Sequence, residues 1–161
     1  MKFFKLDEFR CKCGHCQMTD EVKANITALV DCVLDPARGR FGKPIVVNSG
    51  HRCEAHNKAV GGAANSQHVK GQAADVCSER QYYGSLEAWK QANLEIARAI
   101  VKGRDWDQMI CYCDGKELAP RFIHVSWKRN GINRREVRRK MIGGAPIYPK
   151  LTAEEMALLM G

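Results

Sequence analysis

His68 and Asp75 stand at the two ends of a short segment, His68-Val69-Lys70-Gly71-Gln72-Ala73-Ala74-Asp75. An imidazole and a carboxylate are borderline and hard ligands that suit zinc. Gly71 lets the chain reverse, and Ala73-Ala74 let the returning segment pack tightly, so both side chains can face one ion. The same pair also arises by chance, as a surface histidine and a turn aspartate. A third ligand is available in Phe122-Ile123-His124-Val125, where strand alternation sends His124 away from Ile123 and Val125. Three protein ligands plus water is the open coordination of a hydrolytic zinc site.

A second group of potential ligands lies near the start. Of the eight cysteines, Cys11, Cys13 and Cys16 cluster as CKCGHC with His15 inside. Such a loop can wrap three thiolates around zinc and take a fourth ligand from elsewhere. It can equally be a turn with reduced thiols packed against the first helix. The opening MKFFKLDEF has only a broken apolar stretch, so no export signal is expected and the chain is expected to begin in a cytoplasm. Cysteines in that setting are metal ligands or buried thiols rather than a disulfide scaffold.

These residues must be positioned by one core. At 161 residues, 45% hydrophobic and 27% charged, the chain is long enough for one and short for two. The expectation is a single domain over 1–161, with a Cys-rich arm at 1–18 and a basic segment and tail at 128–161. No apolar run approaches the roughly 20 residues of a membrane span. Thr19 or Asp20 can cap a helix carrying Val22, Ile26, Leu29, Val30 and Val33, which Asp35-Pro36 should stop. Ile45–Asn48 and Ala73–Val76 read as strands, with a short helix over Glu54–Val60 between them. Leu86–Val101 is the clearest helix, with Trp89, Ile96, Ala97, Ile100 and Val101 on one face. Gln108–Tyr112 and Arg121–Trp127 read as strands joined at Asp114-Gly115. Asn130–Met141 gives no clear pattern, and Thr152 to Glu155 is a capping box before a short apolar helix. The sum is an α+β fold with a central, mostly antiparallel sheet flanked by helices.

Taken together, Ser66 to Asp75 as SxHxxGxAxD, Ser49-Gly50-His51-Arg52, Trp106-Asp107-Gln108 and Phe122-Ile123-His124-Val125-Ser126 resemble, in order, the motifs of the zinc D-Ala-D-Ala carboxypeptidase family. That family includes vancomycin-resistance dipeptidases and phage endolysins and shares its fold with the hedgehog signalling domain. The resemblance implies zinc on His68, Asp75 and His124, and zinc-activated water that cuts peptide bonds in bacterial peptidoglycan. It implies that Arg52 holds a substrate carboxylate or the developing oxyanion, and that Ser66 orients a ligand or substrate. Cysteines after a Phe-x-x-x-x-Phe lead-in, with another directly after the arginine, also fit the family, which makes Cys53 the possible fourth partner of Cys11, Cys13 and Cys16.

The likeness fails at the general base. Where relatives carry an acid or histidine just before the last ligand, this chain has Arg121 and Phe122; where wall-lytic relatives carry an acid on the preceding strand, it has Tyr112. Of the nearby acids Asp107, Asp114 and Glu117, Asp107 is the candidate catalytic group because it lies within a matching motif. A zinc module of the same fold that binds wall peptides or a protein partner without cutting is therefore a second reading. The net charge of +8 and the basic residues from Arg121 to Lys140 suggest attraction to an anionic cell wall or, in a third reading, to nucleic acid. No nucleic-acid motif is present and that reading leaves Ser66 to Asp75 unexplained, so no nucleic acid is expected. A monomer, held in a host bacterial cytoplasm until it is released to the wall, completes the expectation.

Overall fold

The β-branched run at Ile45 does form a strand, in a computed structural model that describes residues 1–161. Strands β1 (Ile45–Ser49), β2 (Ala73–Ser78), β3 (Gln108–Cys113), β4 (Pro120–Ser126) and β5 (Glu136–Met141) form one sheet in the order β1-β2-β4-β3-β5. Every pairing is antiparallel except β3 with β5, which is parallel. This is the mostly antiparallel α+β arrangement that the pattern predicts.

Register decides what shares a face, because directly paired residues point the same way. Asp75 pairs with His124, His124 with Ile110, and Ile110 with Arg138, so these four form one row across the sheet. The neighbouring row, Val76 and Ile123, points to the opposite face and is fully buried. There it meets α4 (Leu86–Val101), whose Ile96, Ala97 and Ile100 fill the core. Ser85 caps α4 by accepting from the Ala88 N–H. One polar group anchors the helix to the sheet: buried Asn93 accepts from the N–H of Ser78 and donates to the carbonyls of Pro120 and Arg121.

The first helix departs from expectation. Thr19 caps α1 (Asp20–Leu29), but Asp35-Pro36 does not stop the chain. A π-helical turn, Val30–Leu34, widens the coil, and α2 (Asp35–Phe41) continues with Pro36 in its first turn. The wider π turn before it takes up the helical hydrogen bond that Pro36 cannot donate and makes room for its ring. A short helix α3 (Glu54–Ala59) and a terminal α5 (Ala153–Met160), with the Thr152/Glu155 capping box formed, complete the set. No helix is long and apolar enough to cross a membrane.

The basic segment is not a free solvated face, and β5 gives Asn130–Met141 the order its pattern did not reveal. Arg134 and Lys128 bind Asp107, Arg138 binds Glu136, and Arg139 binds Glu155. Arg135 donates to the carbonyls of Val101, Gly103 and Arg104, the acceptors left open at the end of α4. Much of the charge that suggested attraction to a cell wall is thus committed within the fold.

The turn carrying His68 depends on Gly71, whose φ of +71° is left-handed, and a Cβ there would come within 2.7 Å of the Val22 carbonyl oxygen. Gly71→Ala combines backbone strain with a clash against helix backbone and is expected to destabilise the fold by about 2 kcal/mol or more. Urea denaturation of the variant beside the parent chain measures this.

Candidate metal centre

Three side chains from separate parts of the chain converge on the open face of the sheet. His68 comes from the turn before β2, Asp75 from β2 and His124 from β4. His68 Nε2 lies 3.2 Å from Asp75 Oδ1, His124 Nδ1 lies 2.9 Å from the same oxygen, and the two nitrogens are 3.1 Å apart. Ligands about 2.1 Å from one tetrahedral zinc are about 3.4 Å from one another, close to this spacing.

The donor chemistry points to a cation. His68 Nδ1 sits 2.8 Å from the Gly50 carbonyl oxygen, which can only accept, so that nitrogen carries the proton. That leaves Nε2 directed at Asp75 Oδ1 and His124 Nδ1, and a divalent ion between them would satisfy all three atoms. Fixing the tautomer through the second ring nitrogen is how proteins commonly aim metal-binding histidines. The protonation states agree: burial pushes the His124 imidazole towards its neutral form. Burial alone would raise Asp75, but its bonds to His124 and His68 hold the carboxyl well below the usual range. A neutral imidazole and an ionised carboxylate are the forms that bind zinc.

Arg52 stands beside this centre and braces it. Its Nη2 donates to Asp75 Oδ2 at 2.9 Å and its Nε to Ser49 Oγ at 3.0 Å, while its backbone N–H donates to the His68 carbonyl at 3.1 Å. Ser66 Oγ accepts from the His68 N–H at 3.3 Å, so its hydroxyl shapes the turn that presents His68. These groups open onto a cleft of about 740 Å³. Tyr112 and Phe122 stack on its floor with ring centroids 4.3 Å apart.

Asp107, the candidate catalytic group of the sequence, is not among the residues that line the cleft. It is fully buried, its carboxylate held by Arg134 Nε at 2.9 Å and Nη2 at 2.8 Å, by Gln67 at 3.0 Å and by Lys128 at 3.2 Å. Burial pushes this carboxyl up, yet those donors outweigh it and hold the pKa well below the ordinary range. A group so neutralised is a poor proton acceptor. It is an anchor that fixes the residue before His68 and the lead into β5. Its contribution to stability is complete above the unfolded pKa of about 3.9 and is lost as pH falls towards the depressed folded value. Asp107→Ala leaves two cations and a backbone donor unpaired and is expected to cost about 3 kcal/mol at neutral pH. Thermal unfolding at pH 7 and at pH 3 checks both points, because the difference between the two proteins must shrink in acid.

Asp114 is no substitute, since it is paired with Lys90 and Arg121. The one carboxylate other than Asp75 that lines the cleft is Glu136, which sequence reasoning passed over as a lone acid in a basic stretch. Arg138 and Gln108 hold it ionised, with a pKa lowered to about 2. It lies two strands across and two residues along from His124, about 12 Å over the sheet, beyond direct proton exchange with the centre. Arg134 and Arg138 line the same end of the cleft, and nothing in the sequence pattern signalled that they would.

No curated protein matches the chain. Residues 2–102 match the family model for Peptidase M15, a stretch that runs from the N-terminal arm through β1 and β2 to α4 and carries Arg52, His68 and Asp75. The chain therefore belongs to the Peptidase M15 family, whose members are zinc peptidases.

Proposed function

We propose that this chain is a zinc-dependent peptidase that hydrolyses peptide bonds in bacterial peptidoglycan, of the endolysin or D-Ala-D-Ala carboxypeptidase type. The observation that carries the reading is the convergence of His68 Nε2, Asp75 Oδ1 and His124 Nδ1, each within 3.2 Å of the others, in the lining of an open cleft. His68 Nε2, Asp75 Oδ1 and His124 Nδ1 would hold the ion. Zinc bound there supplies Lewis acidity, polarising a peptide carbonyl and lowering the pKa of water towards about 7.

The chain's own residues do the rest. Arg52, held at two points, offers a rigid positive charge where negative charge grows on the carbonyl oxygen during attack, which favours the transition state over the ground state. Tyr112 and Phe122 give the substrate backbone an apolar floor. Arg134 and Arg138 also line the cleft, each already bound to a carboxylate of the fold, Asp107 and Glu136.

One observation favours a second reading, a module that binds wall peptides with little or no cleavage: no carboxylate base stands beside the three ligands. The experiment that decides is digestion of purified peptidoglycan by zinc-loaded, chelated and zinc-restored protein, with mass spectrometry of the soluble products. The peptidase reading expects new peptide termini that vanish on chelation and return with zinc. Co-sedimentation with the wall and no new termini would establish the binding module instead.

A further inference from the structure

The N-terminal arm is fastened to the segment that carries Arg52. Phe4 and Phe9 are buried in the core, the His51 N–H donates to the Phe9 carbonyl at 2.8 Å, and a Cβ on Gly50 would fall 2.6 Å from the Phe9 Cα. This close approach brings Cys11, Cys13 and Cys16 against Cys53, the residue after Arg52 and the N-cap of α3. We propose that these four cysteines hold a second zinc ion, structural in role and separate from the His68/Asp75/His124 centre.

The geometry is that of a closed site. All four Sγ atoms lie within 4.8 Å of one another, and four sulfurs 2.3 Å from a single tetrahedral zinc stand about 3.8 Å apart. Gly14, at a left-handed φ of +78°, turns the loop so that Cys16 folds back over Cys13. Three sulfurs already accept backbone N–H groups: Cys11 from Cys53 at 3.3 Å, Cys13 from Cys16 at 3.4 Å and Cys53 from His56 at 3.4 Å. Such donors stabilise thiolate charge on the ligand sulfurs. Four soft thiolates in a tetrahedral set select zinc over the harder divalent ions. With no position left for water, this ion takes no part in hydrolysis. It staples residues 1–18 to the loop that presents Arg52, whose guanidinium braces Asp75. The remaining cysteines, Cys32, Cys77, Cys111 and Cys113, lie outside the group.

The site stands whether or not the chain cuts peptidoglycan, and metal analysis of the purified full-length protein tests it without an activity assay. Zinc content is expected to be two ions per chain in the parent and one in His68→Ala/His124→Ala. Cobalt replacing zinc in that double variant should show the intense thiolate-to-metal charge-transfer bands of a four-sulfur site, a readout that requires no cysteine to be changed. Cys13→Ser/Cys16→Ser should lose one zinc and those bands, and its N-terminal arm should become open to proteolysis after Arg10 and Lys12. No zinc in the histidine variant, no charge-transfer bands in its cobalt form, or Cys11 and Cys53 recovered in a disulfide would overturn the proposal.

Discussion

His124→Ala is expected to reduce peptide-bond hydrolysis by about a thousandfold or more, with the fold intact. His124 is the middle of the three converging groups, 2.9 Å from Asp75 Oδ1 and 3.1 Å from His68 Nε2, so its loss opens the set on one side. Two donors cannot keep the coordination that three provide, and Lewis acidity goes with the ion. The cost to stability should be modest, because the flanking Ile123 and Val125 keep their places in the core on the opposite face of β4. Zinc content and hydrolysis rate, measured on one preparation whose circular dichroism matches the parent, check this. An active variant with full zinc would remove His124 from the centre.

Arg52→Ala is expected to lower kcat by about 10² to 10³-fold, with a smaller change in KM. Two effects combine. The charge that favours the developing oxyanion disappears, and Asp75 Oδ2 loses the guanidinium that holds it at 2.9 Å. Loss of such an outer partner typically weakens metal affinity 10 to 100-fold, at roughly constant ligand geometry. Arg52→Lys should recover little, since a lysine cannot bond Ser49 and Asp75 together from one planar fork. Steady-state kinetics with zinc saturating and with zinc limiting separate the two effects. If the role of Arg52 were only structural, saturating zinc would restore the rate fully.

Periodicity in the sequence identified most of the scaffold, and its chemistry together with the family resemblance singled out the three side chains that the fold brings together. Alternation around His124 was informative because its neighbours on β4 are core residues, and the glycine and alanines between His68 and Asp75 announced a tight return. Four features were not legible, each for a physical reason. Pro36 reads as a helix stop by local rules, but a π-helical turn just before it widens the coil and lets the helix continue past it. Strand β5 is masked by its basic side chains, because its partner β3 is distant in sequence and parallel pairing leaves no hairpin signal. Asp107 carries the right chemistry in the right motif, yet only tertiary packing shows that Arg134, Lys128 and Gln67 have enclosed it. Glu136 escaped for the converse reason, being made a cleft residue by the same unseen strand.

The most direct test is anomalous diffraction at the zinc absorption edge from crystals of the zinc-loaded chain. The expected result is a peak within about 2.2 Å of His68 Nε2, Asp75 Oδ1 and His124 Nδ1 together. A map with no density between these three atoms, or with the two imidazoles turned apart, would contradict the account at its centre.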